Sequence, residues 1–287
     1  MSYYRIKFIG YKAMPGCAWF RCYAELNDFL PLDRRSSLFI HCFKQPASIK
    51  DMIESLGIPH VEIDLMLVNG ESVNFHYLVC DGDFISIFPV FKALDISSVS
   101  RCRPPPLNDY RFILDTHLGR LAAYLRMLGF DCLYHNDLDD PALAVISADE
   151  QRILLTRDKR LLMRKQICYG YYVRATQPRR QLSEVLARFD LYALQQPFTR
   201  CMKCNGAIMT TEKNEIISHL PPRVSARHDE YWQCRHCGKV YWKGTHYRRM
   251  EQLIAAQNRM RLEAGHDPAR MPSEPACDFT EGSNPLS

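Results

Sequence analysis

The sequence predicts an α/β chain in three parts: a small α+β sheet domain, a parallel-sheet domain and a metal-held ribbon. Three observations predict it. Strand-like and turn-like segments surround a single helix over residues 20–95. Short apolar strands then alternate with amphipathic helices over residues 111–191, the pattern of a parallel sheet with right-handed crossovers. Two Cys-x-x-Cys pairs follow, at Cys201/Cys204 and Cys234/Cys237.

In the front segment, FRCYAEL and SSLFIHCF read as strands. Ser48 is placed to cap a helix through SIKDMIESLG, closed by Gly57. Glu62–Val68 reads as a strand ending in Asn69-Gly70, a strong hairpin signal. A second turn at Asp81-Gly82 precedes the strand Phe84–Val90. We assign residues 1–97 to this domain, with its core at 20–95. Residues 98–110 contain Pro104, Pro105 and Pro106 and read as a semi-rigid linker.

In the middle segment, RFILD is a strand ending at Asp115, and HLGRLAAYLRMLG carries an apolar helical stripe closed by Gly129. DCLY, RILLT and CYGYYV are further strands. PALAVISADEQ opens as a helix with Pro141 after Asp140, KRLLMRK is a short helix, and PRRQLSEVLARF closes the domain.

Functional groups of an open parallel sheet gather at the carboxyl ends of its strands. Asp115, Asp158 and the group Asp137, Asp139 and Asp140 all follow strands. Neighbouring carboxylates repel one another unless a cation joins them. Mg²⁺ or Mn²⁺ suits such oxygen donors and would ready water for attack on a phosphodiester. Asp after a strand is equally a helix cap, the plainer reading for Asp139 and Asp140 taken alone.

Composition bounds the function. Of 287 residues, 47% are apolar and 24% charged, which excludes wholesale disorder and fibrous repeats. The longest apolar run, around Phe84–Phe91, is too short to cross a bilayer. With no secretory-signal pattern, a cytoplasmic protein without membrane partners is expected. Net charge is −2 over residues 1–100, +5 over 101–200 and +2 over 201–287. A basic middle behind an acidic front suggests separate partners, with nucleic acid for the middle. Residues 157–180 hold eight basic side chains and one acid. Arg157, Lys159 and Arg160 beside Asp158 are candidates for RNA phosphates, with Arg120 and Arg126 on the preceding helix; each alone also fits a solvated face.

Four thiolates in two pairs select a tetrahedral, structural Zn²⁺ site at Cys201, Cys204, Cys234 and Cys237. His236 and His246 are weaker substitutes. Tyr231, Trp232, Tyr241, Trp242 and Tyr247 either cover the metal core or stack on bases. In a cytosolic chain the eight scattered cysteines read most simply as free thiols, several of them buried. The ribbon is assigned to 198–245, a basic helix to 246–264 and a disordered tail to 265–287.

Two resemblances sharpen these readings. LMLVNGESVNFHYLVCDGDFISIFPV resembles the ubiquitin-like β-grasp domains related to small sulfur carriers. The diglycine terminus of those carriers is missing, so an interaction module, with a protein partner, is implied instead. LDTHLGRLAAYLRMLGFDCLYHND, DDPALAVISADEQRILLTRDKRLL and the FTRCMKCNGAI…YWQCRHCGKVYWKGTHYRRM segment resemble the Mut-seven C-terminal RNase family, PIN-like nucleases followed by a zinc ribbon. The resemblance implies metal-dependent RNA cleavage with the acidic site at Asp115, Asp140 and Asp158. Glu150 and Glu184 both stand as a fourth carboxylate. A non-catalytic RNA- or ribosome-binding adaptor on the same fold is the alternative.

Overall fold

The computed structural model describes residues 15–91 and 94–264. The expected tail over 265–287, with Cys277, lies outside the described residues, as do residues 1–14 of the front segment.

The front domain is a five-stranded sheet crossed by one helix. Strands β1 (Gly16–Cys22), β2 (Phe39–Phe43), β3 (Ile63–Val68), β4 (Glu71–Ser72) and β5 (Phe84–Pro89) lie in the order β2-β1-β5-β3-β4. β1 and β5 run parallel at the centre, and the other pairings are antiparallel. Helix α1 (Ile49–Ser55) is capped as expected: the Ser48 side chain accepts from the Asp51 N–H at 3.1 Å. Its Ile49, Met52 and Ile53 join Phe20, Met66, Ile85 and Ile87 in one core. Each such fully buried side chain contributes roughly 1.5–3 kcal/mol. Asn69 and Gly70 have φ of 51° and 89°, the paired positive values that a two-residue hairpin turn demands.

Two expectations are corrected here. FRCYAEL is not one strand: β1 starts at Gly16 and ends at Cys22, and Ala24–Phe29 is a 3-10 helix. The strand breaks because Ala24 adopts φ 45° and the Asn27 amide donates to the Cys22 and Ala24 carbonyls. Nor are all scattered cysteines free. Cys17 and Cys42 face each other across β1 and β2 and are joined by a disulfide. Of the others, Cys22, Cys102 and Cys132 are buried, while Cys80 and Cys168 are exposed.

The middle domain holds four parallel strands, β6 (Arg111–Leu114), β7 (Asp131–Leu133), β8 (Ile153–Thr156) and β9 (Gly170–Tyr172), in the order β7-β6-β8-β9. Four helices connect and close them: α2 (Gly119–Met127), α3 (Asp140–Asp149), α4 (Lys159–Leu162) and α5 (Pro178–Arg188). Leu143 and Ala144 of α3 and Leu161 and Leu162 of α4 pack on Ile113 and Leu154 of the sheet. The chain leaves β6 for β7 on one side and returns to β8 on the other. The reversal point therefore lies between β6 and β8, with Asp115 and Asp158 after those two strands.

A three-stranded sheet follows, β10 (Ile208–Thr211), β11 (Tyr231–Cys234) and β12 (Val240–Trp242), with short helices α6 (Lys213–Ile216) and α7 (Pro222–Ser225) between its first two strands. From Trp242 the chain forms a second compact unit. It carries helix α8 (Thr245–Ala264), on which Arg248 and Arg249 are exposed.

The front and middle domains share one compact unit, and charge ties them together. Glu62, 1% exposed, accepts from the Tyr172 N–H at 2.6 Å and from Arg174 Nη2 at 3.2 Å. Its carboxylate thereby covers a backbone donor of the edge strand β9. Burial pushes the Glu62 carboxyl up, against the pull of Arg174. Arg174 also pairs with Asp28 at 3.2 Å, and the His60 Nε2–H donates to the Ile167 carbonyl at 2.9 Å. The proline-rich segment is pinned rather than free: Arg103 pairs with buried Asp64, and Tyr169 donates to the Pro105 carbonyl at 2.8 Å. Part of the charge asymmetry between front and middle is thus consumed inside the chain.

Candidate active site and metal centre

Asp115 ends β6 and starts a 3-10 turn, Thr116–Leu118. Its Oδ1 accepts from the Thr116 N–H at 2.6 Å and the Thr116 hydroxyl at 3.1 Å. Its Oδ2 accepts from the Thr156 hydroxyl at 2.7 Å. Thr156 is fully buried at the end of β8, and its Oγ1 also accepts from the Asp158 N–H at 2.9 Å. One hydroxyl therefore links the turn after β6 to the turn after β8. Asp158 in turn caps α4, accepting from the Arg160 N–H at 2.7 Å.

Asp115 is 8% exposed, and among the described residues neither it nor Asp158 pairs with a cationic side chain. A buried carboxylate held by neutral donors alone suits a cation from solution. Asp140 is less committed to that edge. It is the first residue of α3, while Asp139 is the cap that accepts from the Ala142 N–H at 2.9 Å. Asp140 lies 3.8 Å from Arg164. Among the described residues the three carboxylates form no ready cluster of ligand atoms.

The two proposed fourth carboxylates are held differently: Glu150 by a guanidinium, Glu184 by neutral donors. Glu150 pairs with Arg152 at 2.6 Å just before β8, at the opposite end of the strands. Glu184 accepts from the Tyr171 hydroxyl and from the Arg174 and Ala175 N–H groups, all at 2.8–2.9 Å. The hydroxyl of Thr156 is the residue that sequence reasoning passed over. The signal was present in the run Thr156-Arg157-Asp158, where a strand-end threonine sits two places before the acid.

The basic residues divide into two groups. Arg120, Arg157 and Arg160 are exposed and make no salt bridge among the described residues. Lys159 is half-buried, with its ammonium 5.0 Å from the Phe29 ring centre. Burial, with Arg35 and Arg174 nearby, lowers its pKa. Arg126 is 4% exposed and does not face solvent for a phosphate. It donates to the carbonyls of Cys132, Met202 and Lys203, fastening the first cysteine turn to α2 and β7.

The four cysteine sulfurs all lie within 4.8 Å of one another. Cys201 and Cys237 are 3.6 Å apart, and Cys204 and Cys234 are 3.4 Å apart. A tetrahedral thiolate site with bonds of ~2.3 Å places its sulfurs ~3.8 Å apart, so the set fits. Burial would raise the Cys201 thiol, but donation from the Tyr241 hydroxyl and from the Cys204 and Lys203 N–H groups lowers it to about 6. Cys204 moves the other way, since burial and the adjoining thiols favour its protonated form. Gly206 is required by this packing, since a Cβ there would meet His236 Cβ at 2.8 Å and Cys234 Sγ at 3.0 Å. His236 is exposed and outside the cluster. Tyr231 is 2% exposed and Tyr241 bonds Cys201, so both serve the ribbon core.

The ribbon docks at the starting end of β7, away from the carboxylate edge. Asn205 donates to Asp131 Oδ1 at 2.8 Å and accepts from the Cys132 N–H at 3.1 Å. Arg152 and Arg200 pair with the same Asp131. Burial would raise the Asp131 carboxyl, but the Arg152 and Asn205 hydrogen bonds and the two guanidinium charges hold it below the usual range.

No helix among the described residues is long and apolar enough to cross a membrane. No curated protein matches the chain, and no solved structure does. A family described as Mut7-C ubiquitin matches residues 16–95. Residues 110–254, just over half of the chain, match the family described as Mut7-C RNAse domain. They contain the Asp115–Thr156–Asp158 link and all four cysteines, and the chain belongs to the Mut7-C RNAse domain family, with a ubiquitin-like β-grasp domain in front of a PIN-like parallel sheet and a zinc ribbon.

Proposed function

We propose that the protein is a metal-dependent ribonuclease that hydrolyses RNA phosphodiester bonds at the edge bearing Asp115, Asp158 and Asp140. The observation that carries this reading is the Thr156 hydroxyl holding Asp115 beside the Asp158 turn at the point where strand order reverses. Asp115 and Asp158 would hold Mg²⁺ or Mn²⁺, with Asp140 completing the set once it releases Arg164. Such an ion supplies positive charge for the phosphoryl group and readies a water for attack. The chain itself orients Asp115 through Thr116 and Thr156, and offers Arg120, Arg157 and Arg160 to the phosphates on either side. Zn²⁺ in the four-thiolate site is structural, because a filled tetrahedral shell leaves no position for substrate.

On this reading residues 111–197 are the nuclease domain, 198–245 the ribbon and 246–264 a basic helix, with 1–97 as an accessory domain able to take a protein partner. A cytoplasmic location accords with nine cysteines outside disulfides, four of them in the zinc site, against one disulfide among the described residues.

A non-catalytic RNA- or ribosome-binding adaptor is the second reading. It is favoured by the capping role of Asp158 and by the Asp140–Arg164 pair. End-labelled single-stranded RNA with Mn²⁺ decides between them. Cleavage by the unaltered chain that EDTA stops, and that Asp115→Asn and Asp158→Asn both lose, is the expected result. Binding without cleavage would leave the adaptor.

A further inference from the structure

Phe29, in the front domain, meets the middle domain at a concentration of positive charge. Lys159 Nζ lies 5.0 Å from its ring centre, and Arg174 Cζ lies 5.1 Å from the same centre. Tyr172 packs on Phe29 edge-on at 5.4 Å. The next residue, Leu30, accepts from Arg35 Nε at 2.9 Å, which holds that guanidinium over the same turn.

The carboxylates in reach are already engaged. Asp28 and Glu62 both pair with Arg174. Among the described residues Arg35 and Lys159 make no salt bridge, and the Nη groups of Arg35 have no protein partner. Asp28, already shared with Arg174, offsets Lys159 only in part, and like charges held together cost free energy unless something anionic covers them. The lowered pKa of Lys159, caused by burial and then by Arg35, agrees with that crowding. Lys159 immediately follows Asp158, and Arg157 and Arg160 flank them both with exposed side chains.

We infer that Arg35 of the front domain and Lys159 of the middle domain form one phosphate-binding site, which carries a single-stranded RNA from the Asp158 edge onto the β-grasp domain. The inference rests on the ribonuclease reading for the identity of the polyanion. It gives the front domain a part in substrate binding, through a turn held against the nuclease sheet.

The test is the salt dependence of RNA binding by the full chain carrying Asp115→Asn, followed by fluorescence anisotropy without added divalent metal. Loss of one phosphate contact on a single strand lowers the slope of log K against log salt by about 0.7. Arg35→Glu is expected to weaken binding and flatten the slope by at least that amount. Arg35→Lys keeps the charge, loses the Leu30 bond and is expected to bind nearly as the parent does. An unchanged affinity and slope in Arg35→Glu overturns the site. Equal losses in Arg35→Glu and Arg35→Lys also overturn it, because the effect then comes from packing of the turn. Cleavage is scored separately with Asp115 restored. If that chain does not cut RNA but binding still depends on the charge at position 35, the ribonuclease reading falls and the site stands.

Discussion

The Thr156 hydroxyl donates to Asp115 Oδ2 at 2.7 Å, across neighbouring parallel strands and out of contact with solvent. That same oxygen accepts from the Asp158 N–H, so its proton can go only to Asp115. The direction is fixed by the backbone, and the carboxylate is turned by it. A side chain without charge thus sets the position of one acid relative to the turn that carries the other.

Thr156→Val, which keeps the shape, is expected to cost about 1.5–3 kcal/mol of stability, the range for a hydrogen bond to a charged group. RNA cleavage should fall by about a hundredfold through misplacement of Asp115. Thermal unfolding and single-turnover cleavage check both effects, and Thr156→Ser should restore cleavage. Full activity in Thr156→Val, with none in Asp115→Asn, would reduce the link to a structural one.

The four thiols lead to a separate expectation. Purified protein should hold one Zn²⁺ per chain by elemental analysis. Binding to such structural sites is worth on the order of 10 kcal/mol in small zinc modules. Cys204→Ser and Cys237→Ser should each open the ribbon to protease while leaving the middle sheet folded. That sheet keeps its own core of Ile113, Leu143, Leu154, Leu161 and Leu162. Full zinc content in Cys237→Ser would refute the four-thiolate site.

Much of this was legible in the sequence because local chemistry dictates it. Asn69-Gly70 needs two positive φ angles, Ser48 needs a helix to cap, and two Cys-x-x-Cys turns bring four thiols to one point. The strand-end positions of Asp115 and Asp158 follow from alternating apolar runs. What stayed hidden depends on pairings between distant segments. Thr156 acts on a residue 41 positions away, Arg126 reaches the ribbon 76 positions on, and Arg174 finds Glu62 112 positions back. Arg126 and Arg174 read as surface cations because no periodicity marks a buried guanidinium. Cys17 and Cys42 escaped for the same reason: only the β1–β2 register places them opposite one another.

The domain seam can be weighed through Glu62 and Arg174. Removing Arg174 leaves Glu62, 1% exposed, as an unpaired buried charge, and breaking such a pair typically costs about 3–5 kcal/mol. Arg174→Ala should therefore destabilise the front and middle domains strongly. Adding Glu62→Gln should recover part of that loss, so the double variant falls short of the sum. Urea unfolding of the two single variants and the double variant measures the coupling, and additivity within error would mean that the pair contributes nothing.

Acid should loosen the ribbon through Asp131. Its folded-state pKa is held below the unfolded value near 3.9. A carboxylate depressed by folding contributes stability in full above its unfolded pKa. It loses that contribution as pH falls through the folded one. The Asp131 contribution should thus be intact at neutral pH and fade below about pH 4. Asp131→Asn retains one acceptor for Arg152 and Asn205 but cannot titrate. It should lower stability at pH 7 and narrow the gap to the unaltered chain as the solution is acidified. Zinc thiolates are also protonated in acid, so bound zinc is assayed at each pH and the two proteins are compared where both retain it. Protease sensitivity of the segment around Cys201 and Cys204, followed in both proteins from pH 7 to pH 3, reads the effect directly. A gap that stays constant over that range would assign the clasp to packing and remove Asp131 from it.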